Sequence, residues 1–125
     1  MNDPIRRLPD AELEVMQALW ACPSPAARSD MEAALSPHHP MAPTTLLTLL
    51  TRLSEKGFVE IRKDGRRSHY TARISKEAYL AAQGRSFFQK LCGGSVSAFA
   101  VALSDSGLSR EDLEELRALL ERGQL

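Results

Sequence analysis

The stretch Pro43–Gly57, P-T-T-L-L-T-L-L-T-R-L-S-E-K-G, sets the strongest constraint on what this chain can fold into. Leu46, Leu49, Leu50 and Leu53 fall at i, i+3, i+4 and i+7, so on an α-helix they share one face that has to leave water. Thr44, Thr48, Thr51, Arg52 and Glu55 fall on the opposite face. Pro43 suits the first helical position, where no backbone N–H is needed, and Gly57 suits the residue just past the end. A face that only meets solvent usually carries more Glu and Lys than this one. Small hydroxyls and a guanidinium on a short helix suit a DNA major groove, where they meet base edges and phosphates. At this point an ordinary surface helix rich in threonine is the alternative.

A chain of 125 residues makes one compact domain, or a small domain with an appendage. Its formal net charge of zero says nothing for nucleic acid, but the distribution does. Between Arg52 and Arg73 seven basic residues face three acidic ones, whereas between Asp105 and Arg122 six acidic residues face three basic ones. A basic middle and an acidic end suggest two jobs, one of them turned towards a polyanion. Cys22 and Cys92 lack paired spacing, which argues against a disulfide scaffold. The opening M-N-D-P-I-R-R has no apolar signal core, and the apolar run Val96–Leu103 is too short to span a bilayer. The expectation is a cytoplasmic protein without membrane insertion.

The rest of the chain places the organising helix third. Leu8-Pro9-Asp10 opens a first helix with Leu13, Met16, Leu19 and Trp20 as its buried stripe, ended by Cys22-Pro23-Ser24-Pro25. A second helix is expected from about Ala26 to Leu35, then a loop over Ser36–Pro40 that holds His38-His39. After the third helix, Phe58–Lys63 alternates apolar and polar as a half-buried strand does. Asp64-Gly65 predicts a hairpin turn, and Arg66–Thr71 the returning strand. Three short helices followed by a basic-tipped hairpin make a winged helix-turn-helix. In that arrangement Lys63, Arg66 and Arg67 lie beside the phosphates that flank the groove. A charged, merely solvated hairpin tip is the plainer alternative.

Beyond Ile74, Ser75 caps a fourth helix from Lys76 to about Leu91, and Gly93-Gly94 breaks it. Ser95–Leu103 reads as a short helix and Ser104–Gly107 as a turn. Ser109 caps a last helix whose inner side carries Leu113, Leu116, Leu119 and Leu120. The apolar residues here exceed what three short helices can bury against one another. Phe87, Phe88, Leu91, Val96 and Phe99 are therefore expected to form a homodimer interface. Leu103, Leu113, Leu116 and Leu120 are expected to extend it. A tail folded back on its own N-terminal domain is the alternative. The sequence thus divides into a winged-helix domain, 1–73, and a helical dimerisation region, 74–125. The fold class is mainly α with a small β-hairpin.

No Gly-rich phosphate loop, Cys–His or Ser–His signature or spaced acid pair is present, so the chain does not read as an enzyme and implies no cofactor. His38-His39 lacks a neighbouring Cys or acid cluster and reads as a solvated pair rather than a metal site. Cys22 and Cys92 adjoin apolar helix ends, where a buried inert thiol is commoner than a redox sensor.

L-P-D-A-E-L-E-V-M-Q-A-L-W at Leu8–Trp20, the stretch Pro43–Val59 and K-D-G-R-R-S-H-Y-T at Lys63–Thr71 together resemble the penicillinase-repressor (BlaI/MecI/CopY) family. The resemblance continues through Ser86–Ser95 and Leu108–Leu116. It implies a dimeric winged-helix repressor that binds an inverted-repeat DNA operator with TACA/TGTA-like half-sites. By position Thr45, Thr48 and Arg52 match the family's groove-facing residues, with Thr44 standing where lysine is frequent and Leu47 where a polar residue is common. These five are the expected base readers, Leu47 through a thymine methyl. Lys56, Arg62, Lys63, Arg66 and Arg67 are the expected phosphate contacts. Ala42 stands at the helix cap where Ser is usual. In the β-lactam-responsive branch a membrane metallopeptidase sensor relieves repression and an Asn-Phe bond is cut. Val101-Ala102 occupies that place here, so this route lacks its bond. The copper branch's Cys-x-Cys ligands have no counterpart in the terminal R-G-Q-L, part of which lies outside the residues described below. A winged helix that docks an acidic protein instead of DNA is the alternative function.

Overall fold

The computed structural model describes residues 5–123. The chain divides into two compact units, Met1–Gln83 and Gly84–Leu125. The first unit runs α1 (Asp10–Ala21), β1 (Ala26–Ala27), α2 (Arg28–Leu35), α3 (Pro43–Glu55), β2 (Val59–Asp64), β3 (Arg67–Ala72) and into α4 (Lys76–Ser86). Its sheet is antiparallel in the order β1-β3-β2. This is a winged helix, mainly helical as the sequence implies, with one strand more than the hairpin.

α3 forms where its pattern puts it. Leu46, Leu49, Leu50 and Leu53 are all buried, and Pro43 occupies the first turn. Gly57 takes a φ of +83°, a conformation that glycine adopts without steric cost, and the chain turns there into β2. The leucines share one core with Val15, Met16, Met31, Leu35, Phe58 and Tyr70. In α1 the buried stripe is Val15, Met16, Ala18 and Leu19, with the expected Leu13 and Trp20 only half-buried at its margins. Trp20 stays at the edge because its Nε1–H donates to the Ile74 carbonyl at 2.9 Å.

Two local expectations are corrected. Ala26 and Ala27 do not start the second helix; they pair with Tyr70 and His69 as β1, so α2 begins at Arg28. Alanine's helix preference is weak against a free sheet edge, and the Asp30 carboxylate accepts from the Ala27 N–H at 2.9 Å to start the helix one residue on. The hairpin turn is also shifted. Asp64 pairs with Arg67, leaving Gly65-Arg66 as the two-residue loop. Only Gly65 has positive φ (+65°), which suits a type II′ turn with glycine at its first central position.

The start of α4 packs into the first core. The Tyr79 hydroxyl accepts from the buried Leu8 N–H at 2.9 Å, and its ring lies 5.8 Å from Trp20 and 5.9 Å from Phe58. This contact carries the first unit past Arg73 to Gln83.

In the second unit Ser86 leads into a π-helical turn, Phe87–Leu91, where a continuous α-helix is expected. Gly93 and Gly94, at φ +60° and +76°, end it. α5 (Val96–Ser104) and α6 (Arg110–Glu121) follow, each started by a serine hydroxyl that accepts a backbone N–H, Ser95 from Ala98 and Ser109 from Asp112. Phe99 meets Phe87 and Phe88 edge to face at 5.8 and 5.7 Å. Leu113, Leu116 and Leu119 are half-buried, whereas Leu120, expected inward, is exposed. Among the described residues none beyond Tyr79 is buried.

A polar contact that the apolar pattern does not announce ties α1 to the end of α3. Glu12 is only 4% exposed, and its Oε1 accepts from the Lys56 ammonium just past α3. Removing the cation alone strands a buried carboxylate. We expect Lys56→Ala to cost about 2 kcal/mol, read as a lower urea midpoint, and the double replacement Glu12→Met with Lys56→Met to recover most of it. An unchanged midpoint in Lys56→Ala would show that the pair holds nothing.

Candidate nucleic-acid interface

Burial of the four leucines leaves the other side of α3 in solvent. Thr44, Thr45, Thr48 and Arg52 are exposed there and, with Leu49, line one shallow groove. Two of the face's hydroxyls are already committed as donors. Thr48 Oγ1–H donates to the Thr44 carbonyl and Thr51 Oγ1–H to the Leu47 carbonyl, each at 2.9 Å. What these threonines have left to offer is an oxygen lone pair and a methyl group. Arg52 is the face's one permanent cation.

Leu47 lies outside that groove. It lines a second cleft, about 430 Å³, between the junction of β1 and α2 (Ala27, Arg28, Ser29) and the wing (Arg66, Arg67, Ser68, Tyr70). No carboxylate lines the cleft. Arg66 and Arg67 form no ion pair among the described residues, while Arg28 has Glu32 at 3.8 Å. Unpaired guanidinia at a cleft wall are available to an anion.

The ten expected contact residues therefore fall into four places. Thr44, Thr45, Thr48 and Arg52 come together on α3; Arg66 and Arg67 stand with Leu47. Arg62 and Lys63 line a different groove, with Glu60, Asp64 and His69 for company. Lys56 is engaged by Glu12. Arg28 and Ser29 join the cationic cleft although the sequence reading passed over them. A helix expected from Ala26 hides Arg28 inside its first turn, whereas the start at Arg28 puts both residues at the helix N-terminus.

The remaining reactive side chains lie elsewhere. Burial pushes the Cys22 thiol pKa up, and the nearby Asp30 charge adds to the shift, so Cys22 holds its proton and is a poor nucleophile. His39 Nε2 lies 3.3 Å from Glu14 Oε1 on α1. Among the described residues no three His, Cys, Asp or Glu side chains converge as a metal site, and no single helix is long and apolar enough to cross a membrane.

The sequence profile of the family described as Penicillinase repressor matches residues 8–122. The chain belongs to that family. Its members are transcriptional repressors, not enzymes. The chain is 32% identical over 118 residues to the Penicillinase repressor of Bacillus licheniformis, covering 94% of this chain and 91% of that one. It is 26% identical over 123 residues to the Methicillin resistance regulatory protein MecI of Mammaliicoccus sciuri, covering 98% and 99% respectively. Among solved structures it is similar to the solution structure of the DNA binding domain of the repressor BlaI, with a TM-score of 0.50 and 36% identity over 58% of this chain and 88% of that one. The family placement covers both units; the structural likeness supports the winged-helix fold.

Proposed function

We propose that this protein is a cytoplasmic, dimeric transcriptional repressor that binds an inverted-repeat operator in double-stranded DNA. The observation that carries the reading is the α3 groove, where Thr44, Thr45, Thr48 and Arg52 stand exposed on a helix whose leucine face is buried, beside a cleft walled by arginine and free of carboxylate. In this reading α3 enters the major groove and Arg52, Thr44, Thr45 and Thr48 meet base edges. Thr48 acts there as an acceptor, because its proton is held by the Thr44 carbonyl. Arg66 and Arg67 neutralise flanking phosphates, and Arg62 and Lys63 contribute at longer range against the acids beside them. Lys56 keeps α3 in place through Glu12 rather than touching DNA.

The second unit supports the dimer. Its roughly forty residues bury nothing among those described, and chains of that size seldom hold together alone. Phe87, Phe88 and Phe99 form a half-buried aromatic cluster, with Leu103, Leu113 and Leu116 also half-buried. Leu91, Val96 and Leu120 are exposed apolar groups. A second copy covering them would set two α3 helices about one DNA turn, ~34 Å, or a multiple of it apart, on a palindrome. A membrane metallopeptidase sensor is the releasing partner in this reading. Val101-Ala102 sits inside α5 with Val101 exposed, so cutting there would divide the dimerising surface.

Footprinting on DNA from the protein's own promoter tests the reading. One dimer should protect an inverted repeat, less at higher salt; a folded dimer that protects nothing at low salt would move the function to protein docking. Arg67→Ala should weaken binding to all duplexes and flatten the slope of log K against log salt by about 0.9 for each half-site. An unchanged slope removes Arg67 from the phosphate contacts. Leu91 is 77% exposed, so Leu91→Asp leaves the protomer's own packing alone. Sedimentation should show monomer for this variant, and an intact dimer would take Leu91 out of the interface.

A further inference from the structure

Leu47 is the one large apolar side chain that α3 exposes, at 38%. Every other leucine of that helix is buried. It is not a stray surface residue, because it lines a cleft together with Arg28 and Ser29 from α2 and Arg66 and Arg67 from the wing. The occupant that suits this cleft has negative charge at its sides and an apolar group between them. Thr51, one turn along the same stripe, donates its hydroxyl hydrogen bond to the Leu47 carbonyl and adds no free donor beside it. In the DNA major groove every base edge is polar except for one group, the C5-methyl of thymine. A leucine set against adenine, guanine or cytosine would strip water from a polar edge and return no hydrogen bond.

We propose that Leu47 reads the C5-methyl of one thymine in each half-site, with Arg28 joining Arg66 and Arg67 on the phosphates that border it. The inference rests on the DNA-binding reading above and adds to it the identity of one base and the group by which it is chosen. Arg28 comes from the start of α2 and so extends the phosphate contacts beyond the wing.

The test uses the full chain and the duplex recovered by footprinting, with each thymine replaced in turn, in both half-sites, by deoxyuridine, which lacks only the methyl. One symmetric position should weaken binding about fourfold per half-site, the factor expected for one apolar carbon returned to water. In Leu47→Ala the same replacement should change affinity by less than about 1.5-fold. The substitution is at an exposed site, so its melting curve should match the parent's. If the wild-type protein still protects its operator but tolerates deoxyuridine at every position, the methyl reading falls and the repressor reading stands. If Leu47→Ala keeps the parent's sensitivity, another side chain reads the methyl and the assignment to Leu47 falls. If no duplex is protected at all, both readings fall together.

Discussion

Four leucines of α3 have to leave water together, and that requirement fixes which way everything else on the helix looks. Fully burying a leucine contributes about 1.5–3 kcal/mol, so turning α3 by even a third of a rotation exposes more apolar surface than a winged helix of this size can tolerate. The threonines and Arg52 are therefore held outward by what lies behind them. Glu12 and Lys56 fasten the far end of the same helix, and Tyr79 closes the core from the other side through Leu8, Trp20 and Phe58. A face on a helix pinned at its back and end has little freedom to drift, which is what the proposed reading of base edges requires.

Charge is distributed more selectively than totals convey. The basic segment from Arg52 to Arg73 is not one cationic patch. Lys56 is drawn to the buried Glu12, and Arg62 and Lys63 share their groove with Glu60 and Asp64. That leaves Arg52 on α3, Arg66 and Arg67 at the wing and Arg73 just past β3, with Arg28 reaching the wing's cleft from α2. Local sorting of this kind lets a chain with no net charge present a surface suited to a polyanion.

Much of the fold is legible in the sequence because periodicity reports burial directly. The α3 stripe, the wing strands and the serine caps of α4 and α6 lie where spacing places them. What is not legible depends on partners distant in the chain. Ala26-Ala27 become a strand only because the edge of β3 is free to pair, and nothing in two alanines says so. The Gly65-Arg66 loop is set by the cross-strand register of Asp64 and Arg67, not by the Asp-Gly dipeptide. At the site, exposure of the threonines could be read from the helical wheel. The hydrogen bonds that Thr48 and Thr51 donate to backbone carbonyls could not, nor could the separation of Leu47 from the other groove residues. Lys56 looked free for the same reason: its counter-ion lies 44 positions away.

The second unit has no interior of its own among the described residues. Its helices are short, and short helices are marginal in water without a surface to lie on. Whatever covers them contributes to their stability by mass action, in proportion to the logarithm of its concentration. The two halves of one polypeptide thus obey different rules. The first is held by contacts within itself, whereas under the proposed dimer the order of the second follows the concentration of the solution as much as the chain.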